Sequence, residues 1–191
     1  MVLSNLVHFR IMIKGKYKRK YLNSINIQSV ISATILAVMG IAFIVMPQVF
    51  ATSLNITREI AAPADRVWNI ISNVDNETAY WSTFKEIKNI NKTDDIIERE
   101  VTISAGPQNN TSHQIVTLYP KLMKIQTNLT EGLVTGTRIL QLDPISDNET
   151  RVDAVWDIDL SGIPIIGRGF AENGIRQTTD EALSRIAQAA Q

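Results

Sequence analysis

The chain contains no cysteine, so neither a disulfide framework nor thiolate chemistry is available to it. Histidine is nearly as scarce. His8 and His113 are the only two, too few for a tetrahedral zinc site, and no metal is expected. There is no G-x-S-x-G elbow, and His113 has no recognisable serine or acid partner, so nucleophilic catalysis of that kind is excluded. "GRG" at 167–169 is too short for a phosphate loop and reads better as a hinge. No residue pattern calls for a cofactor.

Acidic residues are missing from the first third of the chain. Arg10, Lys14, Lys16, Lys18, Arg19 and Lys20 all precede the first acid, Glu59. The nineteen basic and nineteen acidic residues balance overall. From Thr52 onward, however, thirteen basic residues face nineteen acidic ones, a balance of minus six. A mildly acidic folded part argues against a nucleic-acid partner.

The basic stretch leads into an apolar run, 30–46, which begins at Val30 and ends at Met46. Pro47 interrupts it, and Val49-Phe50-Ala51 offers a V-x-A cleavage site after Ala51. Basic, apolar and small-residue regions in that order are the parts of a secretory signal. As a helix the run would be about 25 Å long, slightly short of the ~30 Å hydrocarbon core. Residues 1–51 are therefore expected to be a signal peptide or, uncleaved, an N-terminal membrane anchor with the remainder outside. Met12 as the start would give a basic region of more ordinary length.

Seven N-x-S/T triplets point to the same extracytoplasmic location: Asn55, Asn76, Asn91, Asn109, Asn110, Asn128 and Asn148. All follow the apolar run, and fourteen asparagines with twenty-eight Ser/Thr would yield only about two by chance. N-glycosylation is expected at these positions.

Residues 52–191 leave room for one real core. Leu54, Ile56 and Ile60 alternate with polar neighbours over 53–61, a half-buried strand. Pro63 then suits the first position of a helix, with Asp65 favourable at its N-terminal dipole. Val67, Ile70, Ile71 and Val74 form one apolar helical face. A second short helix is expected over 77–83, followed by strands at 84–91, 96–103, 112–118, 122–129, 136–142 and 150–160. Turn chemistry separates them ("NKTDD", "AGPQNN", "YPK", "TEG", "PISDNE"), and connections this short imply an antiparallel meander. Val152, Ala154, Trp156, Ile158 and Leu160 share one face of the last strand, with Asp157 and Asp159 on the other. The sheet thus has a covered side and a wet side, and the two aspartates read as solubilising groups. A long helix over 166–189 closes the chain; Phe170, Ile175, Thr179, Ala182, Ile186 and Ala190 trace its apolar stripe. Gly162, Gly167, Gly169 and Gly174 weaken its entry.

The order β-α-α-β6-α in an α+β domain, carried by "IAAPADRVWNIISNVDNETAYW", "GTRILQLDPISDNETRVDAVWDIDL" and "TTDEALSRIAQAA", resembles the START-like (SRPBCC) superfamily. The superfamily is also called polyketide cyclase/dehydrase and lipid transport. The resemblance spans about 54–189. It implies a helix-grip: a seven-stranded antiparallel sheet wrapped around the C-terminal helix, with an apolar cavity between them for a lipid, isoprenoid or polyketide-like molecule. None of the resembling motifs is catalytic.

Arg99 shares parity with Ile97, Val101 and Ile103 on the covered face, where a lone charge is costly. It either anchors a ligand's acidic head or, the favoured reading, sits in a structural ion pair or is turned outward by a bulge. Trp81, Tyr119 and Trp156, with Phe170 and Ile175 on the gripping helix, are candidate cavity residues beside it. The leading expectation is an exported or membrane-tethered, non-enzymatic carrier of a hydrophobic small molecule. A cyclase/dehydrase-type enzyme using Arg99, Tyr119 or His113 as a polar handle is the second. An envelope interaction module with a collapsed cavity is the third.

Overall fold

The computed structural model describes residues 51–105 and 108–191. The signal or anchor expected over 1–51 lies outside the described residues except for Ala51. Strand β1 (Ala51–Ile60) leads into helix α1 (Ala64–Ile71) and a 3₁₀ helix (Val74–Ala79). Six strands follow: β2 (Phe84–Lys92), β3 (Ile96–Ala105), β4 (Gln108–Tyr119), β5 (Lys124–Glu131), β6 (Thr135–Ser146) and β7 (Glu149–Asp159). Helix α2 (Ile165–Ala189) completes the chain. All seven strands form one antiparallel sheet in the order β1-β7-β6-β5-β4-β3-β2.

The Ala-Pro junction turns a strand into a helix within three residues. Ile60 ends β1 opposite Thr150, and the buried Thr150 hydroxyl donates to the Ala62 carbonyl at 2.8 Å. Pro63 stands one position earlier than expected, as the N-cap. Its carbonyl accepts from the Arg66 and Val67 amides at 3.0 and 3.2 Å, which starts the helix. Val67 and Ile71 then turn inward, and α1 packs against α2, β6 and β7.

The second short helix lies three residues earlier than the sequence suggests and is 3₁₀ rather than α. Strand β4 begins at Gln108, so Asn109 and Asn110 are ladder residues paired with Ser104 and Ile103. His113 lies inside the sheet, because β4 runs between β3 and β5. On the outer face its Nδ1 is 2.8 Å from Thr130 Oγ1 and its Nε2 is 3.2 Å from Glu98 Oε1.

The interior has two apolar parts. One is closed by the C-terminal half of α2, where Leu183 and Ile186 meet Val67, Ile71, Ile97, Val116, Leu140 and Val152. The other gathers Trp81, Phe84, Leu129, Trp156 and Ile158 beneath the N-terminal half of α2. The helix is anchored unevenly. Its first buried residue is Thr179, and everything before it is half-buried or exposed.

Candidate functional site

Alternation carries polar residues to the covered face at one level of the sheet. Arg99 on β3 pairs with Gln114 on β4. One row over, Thr127 on β5 pairs with Arg138 on β6, and Arg138 with Trp156 on β7. Together they form a polar band across the sheet. Glu77 descends onto it from the 3₁₀ helix.

That carboxylate is 3 % exposed, and it binds two guanidiniums that are 0 % (Arg99) and 2 % (Arg138) exposed. Glu77 Oε2 accepts from Arg99 Nη2, and Oε1 accepts from Arg138 Nη2 at 2.6 Å. The rest of the Arg99 fork is also engaged. Nη1 donates to the Val74 carbonyl at 3.0 Å, and Nε and Nη2 donate to Gln114 Oε1 at 3.2 and 2.9 Å. Arg138 Nη2 further donates to Thr127 Oγ1 at 3.2 Å. Its guanidinium carbon lies 4.6 Å from the Trp81 ring centre and 5.6 Å from that of Trp156. Trp81 in turn meets Trp156 edge-on at 5.9 Å and stacks on Phe84 at 5.7 Å.

Electrostatics follow from this geometry. Burial would raise the Glu77 carboxyl, but Arg138 and then Arg99 outweigh it and hold the group below the usual carboxylate range. Burial pushes the Arg138 guanidinium down; Glu77 opposes the shift and Arg99 adds to it. One negative and two positive charges leave the cluster with a surplus positive charge.

Above the band, between the sheet and the N-terminal half of α2, lies a cavity of about 450 Å³. That is within the ~300–1,000 Å³ range of small-molecule sites. Apolar side chains dominate its walls, including Ile103, Leu129, Val134 and Ile175, while Gln114, Thr127 and Arg138 supply polar groups. Phe170, which lines the cavity, is 79 % exposed, and Ile165 and Ile166 in the first turn of α2 are 80 % and 89 % exposed.

Of the residues singled out in the sequence, Trp81, Trp156, Phe170 and Ile175 line this cavity together. Arg99 does not: its donors are consumed by Glu77, Gln114 and Val74, and it is the structural ion pair. Tyr119 does not line it either. It ends β4, with Lys124 Nζ 4.2 Å above its ring. Arg138, Gln114 and Thr127 were not foreseen. Applying the Arg99 parity argument to "GTRILQLD" would have found Arg138, which shares a covered face with Leu140 and Leu142. Among the sequon asparagines, Asn55, Asn76, Asn91, Asn109 and Asn148 are exposed, and Asn110 and Asn128 are half-buried. No group of three metal-binding side chains occurs among the described residues.

Comparison with protein families matches residues 51–191 to polyketide cyclase / dehydrase and lipid transport. The chain belongs to this family. Solved structures share its fold. The Zhui aromatase/cyclase from a Streptomyces species superposes with a TM-score of 0.67 at 15% identity, over 73% of this chain and 93% of that one. A Thermus thermophilus protein gives 0.65 at 15% identity, over 73% and 97%. A START superfamily protein from Mycobacterium smegmatis gives 0.55 at 17% identity, over 72% and 92%. Comparison with curated proteins finds no match. The polyketide cyclase/dehydrase fold thus accounts for the helix-grip arrangement seen here, with α2 over the covered face of the seven strands.

Proposed function

We propose that this domain binds a hydrophobic small molecule in the cavity between the sheet and α2, as a carrier rather than a catalyst. The observation that carries the reading is a largely apolar space of about 450 Å³ roofed by a helix segment with no buried residue before Thr179. Transfer of apolar surface from water into this space is the driving force. The weakly held roof (Ile165 to Thr178) opens while Thr179, Ala182, Leu183 and Ile186 stay in the core. Exposed Ile165, Ile166 and Phe170 give the entering molecule an apolar lip.

An exported or membrane-tethered setting goes with this role. It is supported by the basic stretch, the apolar run 30–46 and the sequons in the sequence. Among the described residues no helix is long and apolar enough to cross a membrane. The tether is thus proposed for the segment before them. Native protein with a mass of 21.3 kDa, the bare full-length polypeptide, would count against both cleavage and glycosylation.

Native mass spectrometry of protein from its own host tests the carrier reading. A co-purifying hydrophobic molecule is expected. An occupant-free protein that turns over an added polyketide-like substrate would favour the cyclase/dehydrase reading instead.

A further inference from the structure

Two fully enclosed donors among the cavity-lining residues have no partner: Arg138 Nε and Trp156 Nε1. Both side chains are buried, Trp156 at 7 % exposure. A buried N–H without an acceptor is costly and rare in native proteins, so each such group calls for an explanation. Here the two stand directly opposite each other on neighbouring strands, with Arg138 lying against the indole face.

Charge points the same way. Glu77 is the single carboxylate shared by Arg99 and Arg138, and the other partners, Gln114, Thr127 and the Val74 carbonyl, are neutral. Asp75, which also feels Arg99, is already engaged by Asn89 at 2.9 Å and Lys92 at 2.5 Å. The surplus positive charge therefore lies on the side where Arg138 meets the cavity. Arg99 has its fork filled; Arg138 does not.

We propose that Arg138 and Trp156 form a subsite for an acidic head group, so that the bound molecule is an apolar carboxylic acid lying head-inward. A carboxylate has two oxygens and no donor. Once Arg138 and Trp156 turn to uncover their enclosed N–H groups, it answers both and neutralises the cluster, while its apolar body fills the space towards Ile175 and Phe170. The β6–β7 ladder fixes the spacing of the pair, and Trp81 packs against the same guanidinium.

This inference rests on the carrier reading and deepens it. The test is titration calorimetry on the delipidated full chain at neutral pH, with dodecanoate against dodecanol and naphthoate against naphthylmethanol. In the pair that binds, the acid is expected to bind at least about tenfold more tightly than its alcohol, as charge-assisted hydrogen bonds imply. Trp156→Phe, which keeps the ring and loses the N–H, and Arg138→Gln should each bring the acid-to-alcohol affinity ratio most of the way back to one. Circular dichroism confirms that each variant is folded. Equal binding of acid and alcohol, or a preference untouched in a folded Trp156→Phe protein, overturns the subsite and leaves the carrier reading standing. Binding of neither class removes both.

Discussion

Glu77 and Arg138 stand sixty-one residues apart in sequence, yet Oε1 lies 2.6 Å from Nη2 in the interior. The pair ties the 3₁₀ helix to the middle of the sheet and sets the floor of the cavity. It works only as part of a triad, because the other Glu77 oxygen is held by Arg99.

Replacing Glu77 should therefore be severe. Glu77→Gln leaves two buried guanidiniums without a counter-charge, and breaking a buried pair in this way costs about 3–5 kcal/mol. Urea unfolding measures the loss. Adding Arg138→Met to Glu77→Gln should recover part of the stability, since one of the unpaired charges goes with it. A single variant within about 1 kcal/mol of wild type would contradict the triad's role.

The same carboxylate should titrate low. Its folded-state ionisation is depressed below the unfolded value, near 4.5. The stability it contributes is complete above that value and is lost as pH falls through the folded one. Carbon-13 NMR of the Glu77 side chain should show a carboxylate that stays ionised below pH 4.5 in the folded protein. A midpoint at or above 4.5 would mean that burial outweighs the two arginines.

Gly136 offers a backbone test. Its φ is +125°, and a Cβ there would stand 2.2 Å from the Asp157 carbonyl oxygen and 2.8 Å from Ile158 Cα. Strand β6 crosses β7 too closely at that point for any side chain. Gly136→Ala should cost more than about 1 kcal/mol in unfolding measurements. A neutral effect would show that the β6–β7 approach is looser than described.

Helix α2 should exchange its amide hydrogens unevenly. Residues 165–176 have no buried side chain, whereas Thr179, Ala182, Leu183 and Ile186 are in the core. Mass-spectrometric hydrogen exchange should find the first half fast and the second slow, with ligand slowing the first half. Uniform protection along the helix would contradict an opening roof.

Much of this fold could be read from the sequence, because strands with one wet face declare themselves by alternation. Trp156 and Ile158 against Asp157 and Asp159 are the clearest case, and the ladder with β1 confirms their register. Strand ends were harder. Asn109 and Asn110 carry turn chemistry, yet the first is exposed on the outer face and the second only half-buried near the strand end, positions that tolerate asparagine, so β4 begins before them. The 3₁₀ helix is too short for a period, and nothing local announces that Glu77 points inward.

The site was half legible for the same reason. Arg99 stood out because Ile97 and Val101 flank it on a clean alternation. Arg138 was masked by Ile139, an apolar residue on the opposite parity that blurs which face of β6 is covered. Aromatic candidates split by position. Trp81 and Trp156 reach the cavity, whereas Tyr119 lies at the strand end beside Lys124.

The account rests on a guest occupying the space over the Arg138 and Trp156 floor. A crystal structure of the protein taken from its own host without delipidation measures this directly. Continuous density for one molecule, running from Arg138 past Ile175 to the lip at Phe170, is the predicted result. An α2 settled onto the sheet, with Phe170 and Ile175 filling the interior themselves, would contradict it.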